Sequence, residues 1–438
     1  MKPLMNPLAG QLNESIKAGN PHVYDMLSSL GKAIYFPKEG ILSQSAEATA
    51  HAKKYNATIG IATENGMPMH LAVIQDKLSA YSPKDLYGYA PPAGKPELRT
   101  VWREKMLREN PSLEGKSFGN PVATNALTHG LSIVADLFVE AGDAIIYPDK
   151  NWENYELTFG IRRLGELVNY PLFTEDMKFN SDGLLEALLA QKDRGGKAVV
   201  LLNFPNNPTG YTPGLEEGEA IVAAILRAAE EGVNVVVVSD DAYFGLFFEN
   251  SLKESLFGRL AGLHPRVLAV KVDGATKEEF VWGFRVGFIT FASEDKDLLA
   301  ALEQKTLGII RATISSGSHP SQTFVLDALK NPDFPAQKEE KFQIMKGRAN
   351  KVKALLDSGK YGDDVWTYYP FNSGYFMCLK LHTVSAEALR LHLIHNYGLG
   401  TIALGETDLR IAFSCIEEEQ LEDLFDMVYA GIRDLEKA

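Results

Sequence analysis

The sequence predicts an α/β protein: a large doubly wound domain on a mostly parallel sheet with one antiparallel strand, plus a smaller α+β domain. Three observations carry that prediction. The chain has 438 residues, too many for one small core and suited to one large and one smaller domain. From about residue 120, short β-rich apolar runs alternate with helical stretches, the pattern of a parallel sheet covered on both faces. Polar and special residues follow those runs directly, namely Trp152, Asn207, Asp240, Tyr243 and Lys277. Open α/β sheets place ligand sites at the carboxyl ends of their strands.

The elements follow in order. The first fifty or so residues read as polar helices, for example 20–30 and 43–54. Strand-like runs then occupy 143–148, 166–171, 197–204, 234–239, 267–272 and 281–291. The last two are too close together for a crossover helix, which predicts an antiparallel pair. The others are spaced for helical crossovers, as over 215–231. Beyond about residue 320 the pattern is helical again, with short β-like runs at 375–381 and 409–414. Residues 66–325 are expected to form the large domain, with 1–65 and 326–438 together making the smaller one.

Composition narrows the function. Hydrophobic residues at 45% and charged residues at 23% describe a globular chain rather than a disordered one. A net charge of −13 and no Lys/Arg-rich run argue against nucleic acid as a partner. No stretch reaches the roughly 20 apolar residues of a membrane span, and residues 1–21 lack the apolar core of a signal peptide, so a soluble cytoplasmic protein is expected. Cys378 and Cys415 form no C-x-x-C pair. Two buried free thiols are expected rather than the one disulfide that two cysteines allow, and no metal site.

Chemistry concentrates at the strand ends. Lys277 in Asp273-Gly274-Ala275-Thr276-Lys277 would ordinarily read as a snorkelling surface residue. Arg285 follows in Trp282-Gly283-Phe284-Arg285-Val286-Gly287. A nearby cation and burial both depress an amine's pKa and make it a nucleophile, and Arg285 can also fork onto a phosphate. Asp240 ends the run Val237-Val238-Ser239-Asp240-Asp241-Ala242-Tyr243. It could simply cap the next turn. It could equally hold a pyridine nitrogen protonated, so that the ring accepts electrons from a substrate Cα, with Tyr243 hydrogen-bonding a ring oxygen. The octet Asn203-Phe204-Pro205-Asn206-Asn207-Pro208-Thr209-Gly210 is richer in turn formers than a plain loop requires. It can hold the Asn207 amide toward both a ring oxygen and a substrate carboxylate. Arg410 interrupts the apolar run Leu409-Arg410-Ile411-Ala412-Phe413, and a guanidinium in such company needs an anionic partner.

Asn206-Asn207-Pro208-Thr209-Gly210, Asp240-Asp241-Ala242-Tyr243, and Lys277 with Arg285 eight positions later occur in this order and at fitting separations. Together they resemble class I/II aminotransferases of the fold-type-I pyridoxal-phosphate superfamily, of the aspartate/aromatic kind, and the likeness runs from Tyr89 to Arg410. It implies pyridoxal 5'-phosphate as cofactor, attached to Lys277 as a Schiff base, with Asp240 and Tyr243 tuning it. It also implies phosphate held by the backbone N–H groups of Gly130, Leu131 and Ser132, where Thr128-His129-Gly130-Leu131-Ser132 precedes a helix, with either Thr276, or Arg285 and Ser132, making up for the Ser that Gly274 replaces. Trp152 would stack on the ring, and Arg410 would bind the substrate α-carboxylate. Tyr89, in Tyr89-Ala90-Pro91-Pro92-Ala93-Gly94, matches the family residue that reaches the neighbouring subunit's phosphate, which implies a homodimer with shared active sites.

The substrates implied are amino acids and 2-oxo acids. Arg311 lies 34 residues after Lys277, a spacing that resembles enzymes in which a partner's Arg receives a distal carboxylate; a surface Arg is the equal alternative. Aspartate or aromatic donors with 2-oxoglutarate are expected on that basis. The same residue set also serves fold-type-I β-lyases and decarboxylases. An amino-acid-sensing regulator would need a DNA-binding region, and the segment before Tyr89 shows none. Two departures stand out. Gly274 occupies a position where relatives commonly have a phosphate-binding Ser, and Glu64-Asn65-Gly66-Met67-Pro68 only loosely resembles the family's Gly-x-Pro, so Gly66 carries no role.

Overall fold

The computed structural model describes residues 6–35 and 40–437. Its main sheet has seven strands: β1 Val122–Asn125, β2 Ala144–Pro148, β3 Glu166–Tyr170, β4 Lys197–Asn203, β5 Asn234–Asp240, β6 Val267–Asp273 and β7 Val286–Phe291. They lie in the order β1-β7-β6-β5-β4-β2-β3. All run parallel except β7, which pairs antiparallel with both β6 and β1. The central strands are near-continuous apolar runs because both faces are covered, and Val235, Val237 and Val238 are at most 1% exposed. Burying each such side chain stabilises the fold by about 1.5–3 kcal/mol.

Register fixes what meets at the carboxyl edge. Asn203 at the end of β4 pairs with Asp240 at the end of β5, and Asp240 with Val272 near the end of β6. Three expectations are corrected. β1 went unanticipated because it is only four residues long. The run 281–291 is strand only from Val286, since Trp282–Phe284 forms a 3-10 turn closed by Arg285 in the left-handed region at φ 55°. The segment 20–30 splits into Pro21–Met26 and Ser29–Ala33, because Ser28 is a cap whose side chain accepts from Gly31 N–H and starts a new helix.

A second, antiparallel sheet consists of β8 Trp366–Tyr368, β9 Phe376–Leu381, β10 Ile402–Leu404 and β11 Asp408–Ala412, in the order β8-β9-β11-β10. N-terminal chain joins it: Tyr55–Asn56 pairs parallel with Leu399–Gly400, and Ala412 N–H donates to the Ala57 carbonyl. Cys378 is buried as expected, whereas Cys415 is part-exposed, and both thiols are free. Among the described residues no helix is long and apolar enough to cross a membrane.

Candidate active site

The carboxyl ends of β4, β5 and β6 open into a cavity of about 180 Å³ that also reaches β9 and β11 of the second sheet. Lys277, Asp240, Tyr243, Asn207, Trp152, Thr276, Arg285 and Arg410 all line it. The sheet edge thus gathers residues far apart in sequence.

Asp240 is 2% exposed. Its Oδ2 accepts from the Tyr155 hydroxyl at 2.5 Å, while Oδ1 is buried with no partner among the described residues. Burial raises its pKa to about 6, against the pull of the Tyr155 hydrogen bond and the Lys277 ammonium. Asn203 ties this strand end to the Asn207 turn, donating to the Asp240 carbonyl at 3.0 Å and accepting from Asn207 N–H at 2.8 Å.

Lys277 sits on the four-residue helix Ala275–Glu278, just after β6. Its Nζ lies 4.8 Å from the centre of the Tyr243 ring. Burial lowers the amine to about 8; Asp240 opposes the shift and Arg285 assists it. Tyr243 packs edge-on against Tyr375 and Phe376. Burial holds its hydroxyl protonated well above the usual phenol range.

Arg410, on β11, is 2% exposed; among the described residues it forms no salt bridge, although Glu153 acts on it through space. One Nη donates to Asn207 Oδ1 at 3.0 Å and the other to the Thr58 carbonyl at 2.8 Å. Its Nε is buried without a partner among the described residues, and the guanidinium lies 4.3 Å over the Phe376 ring. Desolvation lowers its pKa. A buried cation with an unused donor is a receptor for an incoming anion.

The helix on which the phosphate expectation rests starts earlier in the chain than expected. The helix begins at Ala126, not after Ser132, so Ala126, Leu127 and Thr128 form its first turn and line the cavity. Gly130 and Leu131 face the interior instead: a Cβ on Gly130 would come 2.7 Å from Val272, and Leu131 is 1% exposed. Ser132 accepts from Arg162 at 2.5 Å. Ala126 and Arg285 are both left-handed, at φ 61° and 55°, and Ala126 N–H donates to the Arg285 carbonyl at 3.1 Å. Each such non-glycine conformation costs about 1–3 kcal/mol and persists only where the surroundings enforce it.

Gly274 has a steric cause. A Cβ there would lie 2.6 Å from both the Val286 carbonyl oxygen and Gly287 Cα, so Ser does not fit this backbone. Thr276, buried beside it, donates weakly to the Val286 carbonyl at 3.4 Å. Tyr89, 95% exposed, and Arg311, exposed on Lys296–Thr313 and bonded to Ser315, lie away from this cavity.

Several contributors escaped the sequence reading. Tyr155 is one. Gly60 lines the cavity, whereas Gly66 sits with Asn65 in the turn of the hairpin Thr63–Glu64/Met67–Pro68, as Asn-Gly signals. Glu153 accepts from Ile41 N–H at 2.8 Å and so brings Ile41 to the cavity wall. Among the described residues, no cluster of His, Cys, Asp or Glu suits a metal ion.

The site fits pyridoxal phosphate: an unpartnered buried carboxylate oxygen for a ring nitrogen, a buried amine for its carbonyl, and a helix N-terminus for its phosphate. The family model for aminotransferase class I and II matches residues 62–428. The chain is 28% identical over 362 residues to the "Probable aspartate/prephenate aminotransferase" of Aquifex aeolicus, covering 80% of this chain and 83% of that one. It is 24% identical over 387 residues to LL-diaminopimelate aminotransferase 2 of a Nostoc species, covering 84% and 88%. The crystal structure of an aminotransferase from Anaerococcus prevotii shares the fold with a TM-score of 0.83 at 21% identity, covering 92% of this chain and 98% of that one. The chain therefore belongs to the class I and II aminotransferases, fold-type-I enzymes that depend on pyridoxal 5'-phosphate.

Proposed function

We propose that this transaminase moves the amino group of aspartate or an aromatic L-amino acid to 2-oxoglutarate. The observation that carries the reading is Arg410, a buried guanidinium whose Nε has no partner among the described residues and which shares one cavity with Lys277. It binds the α-carboxylate that all these substrates have in common, and Asn207 aligns its fork.

Bound pyridoxal phosphate supplies a carbonyl that captures amines and an electron sink for the pair left at Cα. The protein does the rest. Lys277, with its amine at about 8, is roughly one-tenth neutral at pH 7 in the cofactor-free chain. Freed by the donor, Lys277 would take the Cα proton and return it to the cofactor's former carbonyl carbon, on the other side of the amino nitrogen. Asp240 keeps a positive ring nitrogen favourable, and Tyr243 donates toward a ring oxygen. Arg410 holds the substrate so that its Cα–H faces the amine, which supplies proximity. One water would supply the oxygen of the departing 2-oxo acid while the amino group stays behind, and 2-oxoglutarate would reverse the sequence and release that water.

Arg311 and Tyr89, both exposed in the single chain, are assigned to the partner's site in a homodimer. There Arg311 receives a distal carboxylate and Tyr89 the phosphate. A relative's name pairs aspartate with prephenate, a 2-oxo acid, which supports aspartate as a donor. A panel of amino donors with 2-oxoglutarate tests the reading: aspartate and the aromatic amino acids should show the highest kcat/KM. Arg311→Ala should depress aspartate turnover selectively; unchanged kcat/KM for aspartate and glutamate overturns the Arg311 assignment.

A further inference from the structure

Lys277 is carried by a helix of four residues, Ala275–Glu278. So short a helix cannot hold its own orientation, because nucleation costs more than one turn returns. Something outside it must fix where the amine sits. Two ties are local: Thr276 reaches the Val286 carbonyl, and the Tyr375 hydroxyl donates to the Lys277 carbonyl at 3.0 Å.

The strongest tie lies on the side away from the cavity. Glu278, 4% exposed, accepts from Lys105 at 2.7 Å and from Lys338 at 2.6 Å through the same Oε1. Lys105 belongs to the helix Pro96–Glu109 and Lys338 to Phe334–Leu356, so one carboxylate clamps the lysine turn between two distant helices. Glu279, 2% exposed, lies 3.3 Å from Lys338 and 3.7 Å from Lys105, and Glu109 takes another Lys105 bond at 2.6 Å. The lysines also border a separate cleft of about 640 Å³, so the cluster connects the surface to the turn that bears the reacting amine. A buried cluster of this kind is a costly way to gain stability, since apolar residues of the same volume do as well or better. Its value lies in geometry.

We infer that Glu278, clamped by Lys105 and Lys338, is a positioning residue that sets the placement of the Lys277 amine relative to Asp240 and the substrate Cα. This rests on the reading of Lys277 as the attachment lysine. The charged and titratable groups facing Lys277 are Asp240, Tyr243 and Arg285; those facing Glu278 are Lys105, Lys338, Glu279 and Glu109. Glu278 touches none of the reacting atoms, so it acts only by where it holds the turn.

The test compares wild-type holoenzyme with Glu278→Gln, Glu278→Asp and Lys338→Met. Borohydride reduction and peptide mapping of the wild type first locate the cofactor. Label anywhere but Lys277 removes the underlying reading. With label on Lys277, Glu278→Gln should lower kcat about 10- to 100-fold while donor KM changes less than about threefold. The pH midpoint of the visible cofactor absorbance should move by about half a unit or more, because a displaced amine changes its distance to Asp240 and Arg285. Glu278→Asp should recover part of both effects. Lys338→Met, altered at the cleft rim, should show the same signs more weakly and decides the matter if Glu278→Gln does not fold. Unchanged kcat and midpoint in the folded variants, with only a lower melting temperature, would mean a purely structural cluster and overturn the inference.

Discussion

The Tyr155 hydroxyl donates to Asp240 Oδ2 at 2.5 Å and leaves Oδ1 buried with no partner among the described residues. One carboxylate oxygen is thus satisfied by the protein and the other is free for a ring N–H. The two oxygens are not interchangeable, because Tyr155 is itself buried at 1% exposure. Tyr155→Phe should lower kcat/KM roughly 10- to 100-fold, matching the 1.5–3 kcal/mol of a hydrogen bond to a charged group. Losing the donor also destabilises the Asp240 anion, so the acid limit of cofactor binding should move to higher pH. Steady-state kinetics and cofactor titrations from pH 5 to 8 check this; an unmoved acid limit contradicts it.

Ser132 and Thr128 separate two placements of the phosphate. Ser132 is engaged by Arg162 outside the cavity, whereas Thr128 is in the first helical turn and lines it. Ser132→Ala should leave the cofactor dissociation constant within about twofold. Thr128→Ala should weaken it several-fold, by about 1 kcal/mol for one hydrogen bond. The reverse ranking, read by fluorescence titration of cofactor-free protein, would restore the placement that the sequence suggested.

The contrast shows what was legible in the sequence. Strands β4 to β6 announced themselves as apolar runs, since burial on both faces leaves no alternation to blur them, and Asp240, Lys277 and Asn207 followed from their positions just beyond those ends. β1 has four residues and no comparable run, so the start of the next helix was placed too late. Arg410 was visible as an Arg among apolar residues. Its second partner could not be, because the Thr58 carbonyl is backbone and 352 positions away. Gly60 and Tyr155 carry no local pattern either; only the sheet edge and the chain return bring them in.

Gly274→Ser tests whether the departure from relatives is tolerated or required. Relatives' Ser would add a hydroxyl near the phosphate, which favours binding. Here its Cβ would meet Val286 O and Gly287 Cα at 2.6 Å, both backbone atoms, and such overpacking costs about 1–3 kcal/mol. The clash involves β7, whose Gly287 in turn leaves no room beside Ala126. Sterics should win: the variant is expected to unfold at lower denaturant concentration and to bind cofactor no more tightly. Tighter binding at unchanged stability would show that the backbone yields easily.

Asp240→Asn should abolish nearly all turnover yet stabilise the cofactor-free protein. Burial raises the folded-state pKa of Asp240 to about 6, above an unfolded value of about 4. A carboxyl with a raised folded pKa costs nothing below the unfolded value, where both states are protonated. As pH rises from about 4 to 6 the unfolded chain releases its proton first, and folding loses stability until the native group also ionises. Two units correspond to about 3 kcal/mol at most. The opposing pull of the Lys277 ammonium is already contained in that folded-state value. Asn cannot titrate and can still accept from Tyr155, so the stability difference between variant and wild type should shift in the variant's favour from pH 4 to 6 and change little immediately above. Urea unfolding of both cofactor-free proteins at pH 4, 5, 6 and 7 measures that difference. A gap that stays constant over this range would mean that Asp240 is not the group being strained, and that its free oxygen is solvated in the absence of cofactor.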